Sequence, residues 1–308
     1  MRPTYSEFSY GFALTHELTN WLGGIRVAPH FPSLIEEGRD GGGYDVNLDL
    51  PGAPLYLQFK RSHKISTRRG IEWKAADQAG TRLDRPYHRF TLMTDTKSRQ
   101  HDLLLELDSS PNLVFYVAPR YHSIDELNSA WRSSRIAEES VFIRPRDIGV
   151  LSPERHAIAF DNTDRRRALV CSEPVEVEVA ERFQLLKLIS SQLVGSTTPL
   201  SQVGQEWFET LIETYRSGRH HHQSRLQDYW EKSSAERGVG VHKVQGDDPS
   251  ASQFHSVEPP QRWDTFQSEL AKEIDDIWSH RTGNHLLDLS LESQRLFGAQ
   301  LLILQRPS

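Results

Sequence analysis

Four side chains in the stretch up to residue 60 are of the types that phosphodiester chemistry uses: Glu17, Asp45, Gln58 and Lys60. Carboxylates hold Mg2+ or Mn2+ through oxygen, and an amide oxygen adds a neutral ligand. The ion polarises a phosphoryl oxygen and lowers the pKa of a bound water, while a lysine stabilises the charge of the transition state. The spacing predicts that three of them meet. Tyr44 to Leu50 alternates, with Tyr44, Val46, Leu48 and Leu50 against Asp45, Asn47 and Asp49. Leu55 to Lys60 alternates again, with Leu55, Leu57 and Phe59 against Tyr56, Gln58 and Lys60. Pro51 to Pro54 reads as the turn of a β-hairpin. In that register Leu50 faces Leu55, Leu48 faces Leu57, and Asp45 faces Lys60 on the polar side, with Gln58 diagonal to Asp45. Gly41, Gly42 and Gly43 free the backbone ahead of Asp45.

The element that must bring Glu17 to this patch is a helix over residues 5–22. Phe8, Leu14, Leu18, Trp21 and Leu22 recur at helical steps. Thr4 and Glu7 have the spacing of a capping box, and Gly23-Gly24 stops the helix. Glu17 falls at the edge of the apolar arc, near Tyr10 and Trp21. Glu7 competes for the same role but has the capping explanation and ranks second; Glu36 and Glu37, in the loop before Asp45, are outsiders. The plain alternative is a surface ion pair between Asp45 and Lys60, worth under ~1 kcal/mol, with Gln58 an exposed amide and Glu17 a solvated helix residue.

Further along, residues 25–29 suggest a strand, and 71–83 and 98–108 suggest helices. Leu113 to Ala118 is a continuous apolar run, the mark of a buried strand. A helix is expected over 124–131, with short strands at 141–143, 157–160, 168–171 and 175–179. Helices are expected over 181–194, 203–216 and 263–280, and a closing strand over 297–305. Residues 231–262, rich in Ser, Gly, Asp, Gln and Pro, read as a linker or mobile loop. The triple His220-His221-His222 reads as a solvated helix end, since adjacent helical histidines point apart. Arg165 to Arg167 reads as a turn, and Cys171, flanked by apolar residues, as core.

A helix bearing Glu, a strand bearing Asp and a strand ending in Gln-x-Lys together resemble the PD-(D/E)XK, or restriction-endonuclease-like, nuclease superfamily. The matching text is "GFALTHELTNWLGG", "GGGYDVNLDL" and "LYLQFKRS", and the resemblance covers roughly residues 5–120. Two departures stand out. Tyr44 occupies the place of the motif's Pro, and Gln58 that of its second acid, so metal affinity should be lower than with Glu. The resemblance implies an α/β fold with a core of order α-β-β-β-α-β over residues 1–175, followed by a mainly helical part over 176–308. It also implies Mg2+- or Mn2+-dependent cleavage of DNA, endonucleolytic rather than exonucleolytic, in bacterial defence against phage or in DNA processing. Asp45 and Glu17 would hold the metal, Gln58 would assist, and Lys60 would stabilise charge.

The remaining composition bounds the partners. With 308 residues and a formal net charge of −6, the chain is no basic coat, so a nucleic-acid surface must be local. Lys60, Arg61, Lys64, Arg68 and Arg69 supply such a surface without an intervening acid; a solvated basic loop is the alternative. His101, at the start of a helix, is a weaker candidate for substrate contact. One cysteine excludes a disulfide framework and a cysteine zinc cluster. No apolar run reaches membrane-spanning length, and Met1 to Glu7 lacks a secretory pattern, so a cytoplasmic setting without membrane contact is expected. No P-loop or dinucleotide fingerprint is present. The helical part over 176–308 is the expected surface for self-association or a partner protein. Two rival classes remain: a nuclease-like subunit that binds nucleic acid or protein without catalysis, and a structural interaction protein working through its helical part.

Overall fold

The computed structural model describes residues 1–21, 51–67, 70–94, 98–109, 112–238 and 260–305. The expected strands at 25–29 and 44–50, together with Asp45, Arg68 and Arg69, lie outside the described residues. Helix α1 (Glu7–Trp21) leads to β1 (Gly52–Phe59), β2 (His63–Ile65), α2 (Ile71–Gln78), β3 (Tyr87–Met93), α3 (Gln100–Ser109) and β4 (Leu113–Pro119). Then come α4 (Ile124–Arg132), β5 (Ser140–Ile143), α5 (Pro145–Ile148), β6 (Arg155–Phe160), β7 (Arg167–Val170) and β8 (Val175–Glu178). Helices α6 (Arg182–Gly195), α7 (Leu200–Gly238), α8 (Trp263–Ser279) and α9 (His285–Phe297) precede the last strand, β9 (Gln300–Gln305). The fold is mixed α/β with a helical C-terminal part.

Two sheets result. One has the order β5-β4-β1-β9, the other β2-β3-β6-β7-β8. β1 runs parallel to β4, with Leu55 beside Leu113 and Phe59 beside Val117, and antiparallel to β9, with Leu55 beside Leu302. A parallel pair needs a long crossover, and α3 lies in the one that joins β1 to β4. The second sheet is antiparallel throughout, with β2 on its edge.

This topology corrects the hairpin. Gly52 and Ala53 are strand residues paired with Gln305 and Leu304, so Pro51 to Pro54 is not a turn. Both edges of Leu55, Tyr56 and Leu57 are taken, by β4 and by β9. A strand has only two edges, so Leu50 cannot pair with Leu55 nor Leu48 with Leu57, and the register that set Asp45 against Lys60 falls with them. The alternation of β1 also reflects something other than a wet face. Tyr56 joins Val114 and Tyr116 in a core under α7, α8 and α9, while Leu55 and Leu57 join Phe115 and Val117 in a second core with Tyr10, Leu14 and Leu18 of α1. Truncating Leu57 to Ala, at 0% exposure, is expected to cost about 2–5 kcal/mol.

Local signals explain several boundaries. Ser123 and Glu126 close a capping box at the start of α4. Asn284 caps α9, and Gly298 ends it in the left-handed conformation, φ 63°. Two expectations for the second half are corrected. α7 continues to Gly238, so residues 231–238 are helix rather than linker; 239–259 lie outside the described residues. The three histidines sit inside α7 rather than at its end, and His222 is buried. The division expected after residue 175 cuts β8, and β9 returns to pair with β1.

Candidate active site

The end of β1 presents Gln58 and Lys60. Phe59 between them points the other way, onto α1, where its ring meets Tyr10 edge-on at 5.9 Å. A Cβ on Gly11 would lie 3.0 Å from the same ring, so the bare backbone there lets α1 approach the strand. The Lys60 N–H still donates to Val117 O at 2.8 Å, extending the ladder one residue beyond the strand. This fixes the start of the side chain.

Lys60 Nζ donates to Gln100 Oε1 at 2.8 Å and lies 5.7 Å from the Tyr116 ring centroid. Gln100 Nε2 in turn donates to Gln58 Oε1 at 3.1 Å and to Phe297 O at 3.3 Å, and Gln58 Nε2 donates to Phe59 O at 3.2 Å. Gln58 is 7% exposed. Gly298 makes this closeness possible: a Cβ there would collide with Gln100 Nε2 and sit 3.1 Å from Gln58 Oε1. Among the described residues Lys60 has no ion-pair partner, and its hydrogen-bonded contact is a neutral amide. Burial pulls its pKa below the usual lysine range; the charge of Glu7 acts against that shift. A buried ammonium facing an amide and a distant carboxylate favours an anion beside it.

The two glutamates of α1 have different surroundings from those expected. Glu17 is 5% exposed, and its Oε2 and Oε1 accept from the N–H groups of Ile136 (2.7 Å) and Ala137 (3.2 Å). Its carboxyl is pushed up by burial, opposed by those two bonds and by Arg182. Glu17 is therefore engaged in holding the segment before β5 and is not brought to Gln58 and Lys60. Glu7, in the first turn of α1, is the carboxylate whose charge reaches Lys60.

His101 also departs from expectation. It is 1% exposed, with Nδ1 3.0 Å from Tyr116 Oη and Nε2 2.8 Å from Gly149 O, and burial holds its pKa down at about 4. With both ring nitrogens engaged, it packs α3 onto β4 and does not face a substrate. The basic segment is partly an edge strand. Lys64 lies in β2 and approaches Glu126 at 3.4 Å; Arg61 is exposed. The pKa of His63 is lowered by burial and then by four positive groups: Arg89, the Met1 amine, Arg2 and Arg61. A local excess of positive charge thus adjoins Lys60.

Sequence reasoning missed two features. Gln100, linking Gln58 to Lys60, is an unremarkable residue at a helix start; its position in the fold alone gives it a role. Phe8, expected in the apolar arc, is 63% exposed, as is Phe12 at 47% and Trp131 at 40%. Phe12, His16 and Trp131 stack on one another, with interplanar angles of 18°, 20° and 30°. Phe8, Phe12 and His16 recur every four residues, one stripe along α1.

Comparison of the chain with models of known protein families, with curated proteins and with solved structures finds no match.

Proposed function

We propose that this chain is a metal-dependent nuclease that hydrolyses phosphodiester bonds of DNA, with Lys60 as the charge-stabilising group. The observation that carries this reading is the buried, acid-free setting of Lys60 at the end of β1, two residues after Gln58. A lysine in such a place stabilises an incoming phosphate more than it stabilises the empty fold. The positive groups around His63 lie where a phosphate backbone would pass, and the exposed aromatic stripe of α1 offers π-faces to unstacked bases.

Among the described residues no three His, Cys, Asp or Glu side chains converge as a metal-ligand group. Glu7 and Gln58 are oxygen donors of the kind a hard cation takes, and Asp45 is the further carboxylate that this reading adds. A bound Mg2+ or Mn2+ would supply polarisation of the phosphoryl oxygen and an activated water. The protein's own contribution is separate from this. Gln100 holds Lys60 Nζ in place, and Phe297 O fixes the Gln100 amide. The restriction-endonuclease-like core belongs to the same proposal; a parallel β1/β4 pair with α3 in its crossover supports it.

One observation favours a second reading. Gln58 and Lys60 are both engaged by Gln100, a self-contained network such as a non-catalytic binding subunit would keep. Calorimetric titration with Mn2+ separates the two. The nuclease reading expects binding that Asp45→Ala abolishes and Gln58→Ala weakens modestly. No binding by the unmodified chain favours the non-catalytic subunit.

A further inference from the structure

Behind Gln100, on the side away from Lys60, lies an open cleft of ≈ 550 Å³ between the start of α3, the middle of α7, the approach to α8 and the end of α9. Its lining includes Arg99, Arg219, His222 and Arg295, and no acidic residue. The acids that meet these cations stand outside the lining. Arg219 is held by Glu273 and donates to Tyr215 Oη at 2.6 Å. Arg295 is held by Glu292 at 2.7 Å. His222 Nδ1 lies 2.5 Å from Asp102 Oδ2, an oxygen that Arg225 also contacts, and His222 Nε2 has no hydrogen-bond partner among the described residues. Arg99, at the start of α3, is exposed and unpaired among the described residues.

Arg219 and His222 are buried, at 5% and 6% exposure. Ordering two cationic side chains at this depth, each oriented by an acid on its far side, builds a surface that favours an anion. The N-terminal end of α3 adds its partial positive charge. The cleft is not wholly polar: Phe266, Phe297, Leu103 and Leu226 also line it, offering an apolar floor. A volume of this size is that of a small-molecule site.

We propose that this cleft binds a nucleoside monophosphate, its phosphate among Arg99, Arg295 and His222 and its base on Phe266 and Phe297. The claim is independent of catalysis at Lys60, although Gln100 belongs to both places.

The test is calorimetry on the full chain in EDTA, titrated separately with AMP, GMP, CMP, UMP and inorganic phosphate. Chelation removes any contribution from a metal at the candidate active site, so the outcome does not depend on the nuclease reading. At least one mononucleotide is expected to bind one-to-one, about tenfold or more tighter than inorganic phosphate. Arg99→Ala and Arg295→Ala, both at exposed positions, should each weaken it by about tenfold, whereas Arg132→Ala on α4 should not. Absence of binding by all four nucleotides overturns the proposal. So does affinity no better than that of phosphate, or affinity indifferent to both cleft variants.

Discussion

The two ends of α1 carry the same residue type in opposite circumstances. At the C-terminal end, Glu17 is buried and each carboxylate oxygen receives a backbone N–H, so its charge is spent on holding the segment before β5. At the N-terminal end, about 15 Å away along the helix axis, Glu7 is exposed and its charge acts on a desolvated lysine. A carboxylate whose hydrogen bonds are complete within the fold stabilises the fold. One that faces a buried cation without reaching it leaves room for a third group. Burial alone therefore does not identify a site; the completeness of the partners does.

Removing both carboxylates in turn should break this comparison most visibly. Glu17→Ala strands two buried N–H groups, each bonded to a charged acceptor worth about 1.5–3 kcal/mol, so denaturant titration should show a loss of about 3 kcal/mol or more. Glu7→Ala should stay within about 1 kcal/mol of the unmodified chain while losing cleavage. Equal stability losses would erase the distinction between the two ends.

His88 sharpens the same point with a different group. It is 2% exposed, and neither ring nitrogen has a partner among the described residues. Burial lowers its pKa to about 4, aided by Lys64, His122 and Arg120 and opposed by Glu126. A base depressed in the fold stays neutral there while the unfolded chain protonates near 6.5. Stability is therefore lost as pH falls from about 6.5 to about 4, by about 3 kcal/mol for this group. His101, lowered to about 4 as well, contributes in the same direction. Urea midpoints across this window should fall less steeply for His88→Phe than for the unmodified protein; an identical acid limb would contradict the assignment.

Gly298 tests whether the amide network belongs to the functional end. Gly298→Ala places a left-handed Cβ against Gln100. Thermal melting should show a loss of about 1–2 kcal/mol, and cleavage should drop further than stability does. A variant of unchanged activity would show that the position of Gln100 is immaterial. The smallest effect is expected at the positive patch. Arg61→Gln and Lys64→Gln should each flatten the salt dependence of DNA binding by about one unit of slope, read by fluorescence anisotropy. An unchanged slope would make β2 a plain edge strand.

Some of this was legible in the sequence. The apolar run at Leu113 to Ala118 announces β4, and Ser123 with Glu126 announces the start of α4, because both signals are local. The partners of β1 were not legible. Alternation tells which residues share a face, but not which strand lies alongside, and β1 takes its neighbours from residues 113–117 and 300–305. The same non-locality hid Gln100 and misplaced Glu17: a helical wheel ranks faces, whereas the roles of Glu7 and Glu17 depend on which loop each end meets. The run of three histidines was misread because α7 is longer than its apolar pattern, and Asp102 on α3 supplies His222 with a buried partner.

The central claim is that Lys60 serves a phosphate rather than the fold. Cleavage of linear and circular DNA in Mn2+ by the unmodified chain and by Lys60→Ala, with melting temperatures measured on the same samples, tests it directly. The account predicts cleavage by the unmodified chain, a loss of about 10²–10³-fold in the variant, and a melting temperature equal or higher once the buried charge is gone. Undiminished cleavage by Lys60→Ala, or loss of activity accompanied by a collapse in stability, would contradict it.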